Sequence, residues 1–257
     1  MTTEDQELSS GPEAHADPDP DDLDGFETSM SRFSARLRKW LVVVVALSLV
    51  VPLGGWLIDE LAFRRSGADV AEQLGEDARL ADAVMLVRSI GCDGRVSTGS
   101  GFLTQVGDDV VLVTNRHVVA GARTVGLRPL EGGTSTTGTG YRLATNADVA
   151  VVELDAAPEG GLALPIGPTP DVGQDVQVVG FPAARPYTTA GTVAEVGGGQ
   201  LLLELAVSPG VSGSPVVDAD GTVVGQVFAR TDDGDGVATA GDALRAAVES
   251  AEPAAPC

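Results

Sequence analysis

Pro209-Gly210-Val211-Ser212-Gly213-Ser214-Pro215-Val216-Val217 is the stretch on which the fold of this 257-residue chain turns. A serine sits in a turn with glycines on both sides, and the turn runs into two β-branched residues. The glycines open backbone angles closed to other residues and allow close approach. The valines read as the start of a buried strand. The same grammar recurs twice upstream with a different polar residue at the break. Val113-Thr114-Asn115-Arg116-His117-Val118-Val119 ends a strand with His117 just beyond it, and Asn146-Ala147-Asp148-Val149-Ala150-Val151-Val152 opens an apolar strand on Asp148. Further short β-type runs fall at 101–103, 110–114, 176–179, 192–196, 201–207 and 222–228, separated by turn signals such as Gly107-Asp108-Asp109 and Asp220-Gly221. Many short strands at this spacing predict an all-β sandwich or barrel pair. A helical stretch at 242–250 closes the pattern.

Ser212, His117 and Asp148 are the residue types that nucleophilic catalysis by serine requires. A hydroxyl attacks, an imidazole takes its proton, and a carboxylate fixes the imidazole tautomer. Backbone N–H groups must also face the developing oxyanion, and the Gly-flanked turn offers those of Gly210 and Ser212. Asp155 and Asp171 are poorer candidates for the carboxylate, because neither opens a comparable apolar strand. His15, the only other histidine, lies in a Pro/Asp/Glu-rich run with almost no apolar content. The bland readings are a structural histidine, a strand-capping acid and an ordinary Gly-Ser turn. Three such coincidences in the order His, Asp, Ser are harder to accept than one catalytic unit.

In that order and spacing the chain resembles the trypsin-like, chymotrypsin-fold serine proteases. Thr114-Asn115-Arg116-His117-Val118 looks like their T-x-x-H-[CV] motif, Asp148-Val149-Ala150-Val151-Val152 like their D-[LIV]-A-[LV]-[LIV] strand, and Gly210-Val211-Ser212-Gly213-Ser214-Pro215 like G-x-S-G-[GS]-P. Gly99-Ser100-Gly101-Phe102 and the segment from Gly173 to Gly180-Phe181-Pro182 resemble two more segments of bacterial trypsin-like and HtrA-type proteases. The likeness runs from about residue 88 to 240, and it is nearest to the membrane-anchored periplasmic acid-resistance proteases of actinobacteria. It implies two six-stranded antiparallel β-barrels, at about 88–157 and 160–240, within a domain at 88–257. It implies His117 as base, Asp148 as its orienting acid, Ser212 as nucleophile, and an oxyanion hole from Gly210 and Ser212. It implies a polypeptide substrate and no cofactor or metal. Cys92 and Cys257 are placed for the disulfide those relatives carry, and so long a closed loop would stabilise the domain by roughly 5 kcal/mol at most. In this family the base of the specificity pocket lies near Ala206, with walls from the strand around Gly225. About 45 residues follow Ser212, too few for an HtrA-style PDZ domain. The rival reading is a catalytically silent domain of the same fold that binds peptides or a partner.

Composition narrows the rest. With 37 acidic against 16 basic residues the formal charge is −21, which argues against nucleic acid as a partner. Two cysteines exclude a disulfide-dense mini-protein and a Cys₄ or Cys₂His₂ zinc site. Residues 1–38 read as an acidic tail, disordered over 1–30 because so little apolar surface cannot offset chain entropy. Residues 40–58 carry no charge, and as a helix they span about 28 Å. Trp40 and Trp56 sit near the ends of that segment. A single transmembrane helix over 39–59 is therefore expected. Arg32, Arg36, Arg38 and Lys39 before it favour a cytoplasmic N-terminus and an extracytoplasmic remainder. A cleaved signal peptide and a buried helix are the alternatives. A helical stalk is expected at 60–87, from the spacing of Val70, Leu74, Leu80, Ala83 and Val84. Gly132–Gly140 reads as a flexible hairpin tip. Asp232-Asp233-Gly234-Asp235 reads as a solvated loop, since it lacks the twelve-residue calcium loop and its terminal Glu.

Overall fold

A computed structural model describes residues 20–74, 79–132, 134–158 and 160–254. The chain divides into two compact units, Met1–Leu57 and Ile58–Cys257. His15 and Cys257 lie outside the described residues. Helix α1 runs over Pro20–Leu74, so helix begins inside the stretch expected to be disordered. Pro20 at its first position and Asp21, Asp22 and Asp24 in its opening turns are residues that suit a helix start and its dipole. Among the described residues no helix is long and apolar enough to cross a membrane. Several side chains of the 39–59 segment lie outside the described set.

In the second unit the last turns of α1 present Phe63, Val70 and Leu74 to the main apolar core. Gly67 lies on the same face, where a Cβ would strike the Leu130 carbonyl and fall 2.9 Å from Glu131 Cα. The short helix α2 (Arg79–Ala83) then leads into β1 (Val84–Gly91). The expected stalk thus ends earlier than 87. Val84, Met85, Leu86 and Val87 are all buried, and a short continuous apolar run does not distinguish a doubly buried strand from a helix.

The first half of the domain is built from β1, β2 (Val96–Val106), β3 (Asp109–Thr114), β4 (Ala122–Pro129), β5 (Thr136–Thr137), β6 (Gly140–Leu143) and β7 (Ala150–Glu153), with helix α3 (Arg116–Val119) between β3 and β4. The second half comprises β8 (Asp175–Gly180), β9 (Tyr187–Gly197), β10 (Gln200–Ala206), β11 (Pro215–Val217), β12 (Val223–Arg230) and β13 (Asp235–Ala240). Helix α4 (Gly241–Glu249) and strand β14 (Glu252–Pro253) follow.

Strands β8 to β13 form a closed six-stranded antiparallel barrel in the order β10-β13-β12-β11-β8-β9, as expected. The first half corrects the expectation of a second closed barrel. It is an open eight-stranded sheet, β14-β6-β7-β3-β2-β1-β4-β5, that wraps part-way round. Its gap is spanned by isolated bonds: Gly138 N–H donates to the Val125 carbonyl at 2.8 Å and Thr139 N–H to Glu153 at 2.9 Å. The Gly/Thr-rich stretch expected as a hairpin tip supplies only the two-residue β5, too short to carry a closing ladder. The β6 edge is instead covered by β14 from the C-terminus, where Glu252 faces Leu143 and Pro253 faces Arg142. Pro at such an edge removes a donor that further pairing would need.

Candidate active site

The three expected side chains come from three breaks in the strand pattern. His117 lies in α3, one short turn after β3, with Asn115 as the extended residue before that turn. Asp148 lies two residues before β7. Ser212 is in the turn ahead of β11.

His117 and Asp148 meet directly, by two bonds. The His117 backbone N–H donates to Asp148 Oδ1 at 3.0 Å, and ring Nδ1 lies 2.5 Å from Oδ2. An ionised carboxylate only accepts, so Nδ1 carries a proton, and in the neutral tautomer Nε2 holds the lone pair. Burial pushes the Asp148 carboxyl upward, but the His117 ring, the backbone N–H groups of His117 and Arg116, and the His117 charge hold it below the ordinary aspartate value. The site half-faces water, with the His117 side chain 50% exposed and that of Asp148 29%.

Ser212 is held to the histidine side through β2. Its carbonyl accepts the Ser100 N–H at 2.7 Å, while Thr114 Oγ1, at the end of the strand leading to His117, donates to the Ser100 carbonyl at 2.7 Å. Gly99 sits between the two. A Cβ there would fall 2.8 Å from Val118 Cγ2 and 2.9 Å from the Ser212 carbonyl oxygen. The turn itself needs its glycines, with φ of +105° at Gly210 and +89° at Gly213. Among the described residues, neither the Gly210 N–H nor the Ser212 N–H has a hydrogen-bond partner. Two backbone donors flanking a serine are thus left available for an anion.

Gly213→Ala tests how tightly this turn is drawn. Its Cβ would collide with the Ser100 carbonyl and lie 2.7 Å from Thr114 Oγ1, at a left-handed φ besides. Strain and overpacking together should cost about 3 kcal/mol, a fall of roughly 6–12 °C in the thermal midpoint. An unchanged midpoint would mean the turn is looser than described.

Other residues join the site without having been singled out for it. Asn115 Nδ2 donates to the Asp148 carbonyl at 2.7 Å and lies 3.4 Å from Gln226 Oε1 on β12, tying the two halves together behind the carboxylate. Ser100 Oγ donates to the Gly210 carbonyl at 2.9 Å and accepts the Phe181 N–H at 2.9 Å. Ser100 was visible in its Gly-Ser-Gly-Phe setting, but a bond across 110 residues was not. A cavity of about 190 Å³ opens beside Ser212, lined by Val207, Ser208, Pro209, Val211, Val227, Ala229 and Arg230. Strand β12 contributes Val227, Ala229 and Arg230 to it, whereas Ala206 and Gly225, the expected pocket positions, are not among the lining residues. Among the described residues no cluster of His, Cys, Asp and Glu could hold a metal ion. Cys92 is not a free thiol.

Residues 99–225 match the family of trypsin-like peptidase domains. The chain is 32% identical over 151 residues to a probable periplasmic serine endoprotease, DegP-like, of Halomonas elongata, covering 53% of this chain and 31% of that protein. It is 33% identical over 199 residues to the mitochondrial serine protease HTRA2 of Bos taurus, covering 69% and 41%. The chain therefore spans less than half the length of these curated relatives. Among solved structures, the active form of the Rv3671c protease from M. tuberculosis superposes with a TM-score of 0.57 at 22% identity, over 70% of this chain and 85% of that one. At that identity the likeness is one of fold.

Proposed function

We propose, from the premise that this chain carries a trypsin-like serine peptidase domain, that it is an endopeptidase working through His117, Asp148 and Ser212. The observation that carries the reading is the double clasp of Asp148 on His117, which in the neutral ring puts the proton on Nδ1 and the lone pair on Nε2, beside a serine turn with two unpaired N–H groups. His117 Nε2 takes the Ser212 proton as Oγ attacks a peptide carbonyl. The N–H groups of Gly210 and Ser212 receive the oxyanion, each supplying about 3–4 kcal/mol of transition-state stabilisation. His117 then hands its proton to the leaving amine, and water, activated by the same nitrogen, hydrolyses the acyl-enzyme. Each step uses only the chain's own groups and water. The cavity beside Ser212 has mostly apolar walls, with Arg230 its only charged residue and no acid in its lining, which disfavours a Lys or Arg substrate side chain.

Two further features belong to this proposal. The uncharged segment over 40–58, with its basic N-terminal flank, anchors the chain in a membrane and leaves the peptidase domain extracytoplasmic. The description of the Halomonas relative as periplasmic supports that side. Cys92 pairs with Cys257, the only other cysteine of the chain, in keeping with an oxidising compartment.

The test is hydrolysis of fluorescein-labelled casein by the full-length chain in detergent. Release of fluorescent peptides that stops after treatment with an organophosphorus serine reagent is the expected result. No hydrolysis at any pH between 5 and 9, with no loss of the reagent, would instead support the silent binding module.

A further inference from the structure

We propose that the last turns of α1 are a positioning element of the active site: Phe63 holds the loop whose Ala183 N–H keeps the Pro209–Gly210 peptide turned for oxyanion binding. The proposal rests on the peptidase reading for its catalytic consequence, but its structural part stands on contacts alone.

Phe63, buried to 4% exposure, stacks on Phe181 with ring centroids 6.0 Å apart and planes 9° from parallel. The Arg128 guanidinium covers the Phe63 ring at 3.5 Å from its centroid. Glu60, one turn earlier on α1, fixes that guanidinium at 2.7 Å and is itself held by Arg64 at 2.7 Å. Asp59 reaches Arg185, at the far end of the same loop, at 3.6 Å. Helix and loop therefore touch at both ends of the segment from Phe181 to Arg185.

That loop holds the serine turn. Ala183 N–H donates to the Pro209 carbonyl at 3.2 Å. In a trans peptide the carbonyl and the following N–H point opposite ways, so with the Pro209 oxygen drawn to Ala183 the Gly210 N–H faces away from the loop, unpaired. The Gly210 carbonyl is fixed as well, by Ser100 Oγ, which also receives the Phe181 N–H. No side chain fits at Gly210, since a Cβ would lie 2.6 Å from the Phe181 carbonyl oxygen. Rotating the Pro209–Gly210 peptide would break the Ala183 bond and turn a carbonyl, rather than a donor, toward the oxyanion.

The loop cannot be expected to keep this shape unaided. Ala183 and Ala184 both adopt left-handed backbone angles, φ +50° and +60°, which alanine disfavours. Such residues persist where surrounding structure over-determines them. Here the over-determination comes from Ser100 on one side and the α1 stack on the other. A device of this kind makes the oxyanion donor depend on how α1 is seated.

The test compares full-length wild type with Phe63→Ala and with Phe63→Leu, which keeps apolar bulk but loses the flat ring. Hydrogen exchange of segments 181–185 and 209–213 reads the coupling without needing catalysis. It should quicken about tenfold or more in Phe63→Ala and less in Phe63→Leu. With a fluorophosphonate as probe, the maximal inactivation rate should fall about 10- to 100-fold, within the loss expected when one oxyanion donor is removed. The half-saturating probe concentration and the pH dependence of the rate, which read access and His117, should not move. Leu61→Ala, on the exposed face of the same helix, should behave as wild type. Wild-type exchange at 209–213 in a folded Phe63→Ala or Phe63→Leu chain overturns the proposal. Faster exchange there in a chain that never reacts with the probe upholds the coupling and sinks the peptidase reading instead.

Discussion

His117→Ala should lower the turnover of labelled casein by about 10⁶-fold, the scale of losing the base from a Ser–His–Asp unit, with little change in the Michaelis constant. The size follows from the absence of a substitute. The chain has one other histidine, His15, and it belongs to the acidic N-terminal tail. Asp148 cannot replace the imidazole, because an ordinary carboxylate is already too weak a base near neutral pH. His15→Ala should run at the wild-type rate. Initial-rate measurements on both variants check the pair, and a His117→Ala enzyme retaining more than about a hundredth of wild-type turnover would remove His117 from the mechanism.

Asp148→Asn should cost about 10⁴-fold in turnover while leaving the fold intact. The reason lies in the double clasp. Two donors, the His117 backbone N–H and ring Nδ1–H, converge on the two carboxylate oxygens. An asparagine offers one acceptor and one NH₂ group, so only one of those donors can be satisfied. If the amide oxygen keeps the backbone N–H, its NH₂ faces Nδ1 and selects the tautomer with the proton on Nε2. That tautomer cannot receive the Ser212 proton. The carboxylate also leaves a mark on stability. Its lowered folded-state pKa means that Asp148 stabilises the fold above the unfolded carboxylate pKa, and that this contribution is lost as pH falls through the folded value. Asp148→Asn should therefore flatten part of the acid limb of the stability profile while turnover collapses at every pH.

The parts of the molecule legible in the sequence are those where local chemistry and tertiary role coincide. The apolar runs of β3, β7, β8, β11 and β12 announce themselves, and so do the polar breaks that carry His117, Asp148 and Ser212. Strand β4 was hidden because Arg123 and Arg128 interrupt its pattern, and Arg128 is there to cover Phe63. Strand β13, Asp-Gly-Val-Ala-Thr-Ala, is made of small residues whose strand character comes from its neighbours β10 and β12. The open first sheet could not be foreseen either, since closure depends on how far the Gly/Thr-rich segment pairs. Phe63 lies in a charged run, and nothing local marks it as a partner for Phe181. The left-handed angles at Ala183 and Ala184 are equally silent, because alanine does not advertise them as glycine would.

The central claim is that Ser212 is a nucleophile made reactive by its turn and by His117. The most direct measurement is mass spectrometry of the full-length chain after brief exposure to a fluorophosphonate, with the modified peptide sequenced. One adduct per chain, on Ser212, absent from Ser212→Ala and strongly slowed in His117→Ala, is the predicted result. An adduct on another residue, or none on a folded chain at any pH from 5 to 9, would contradict it.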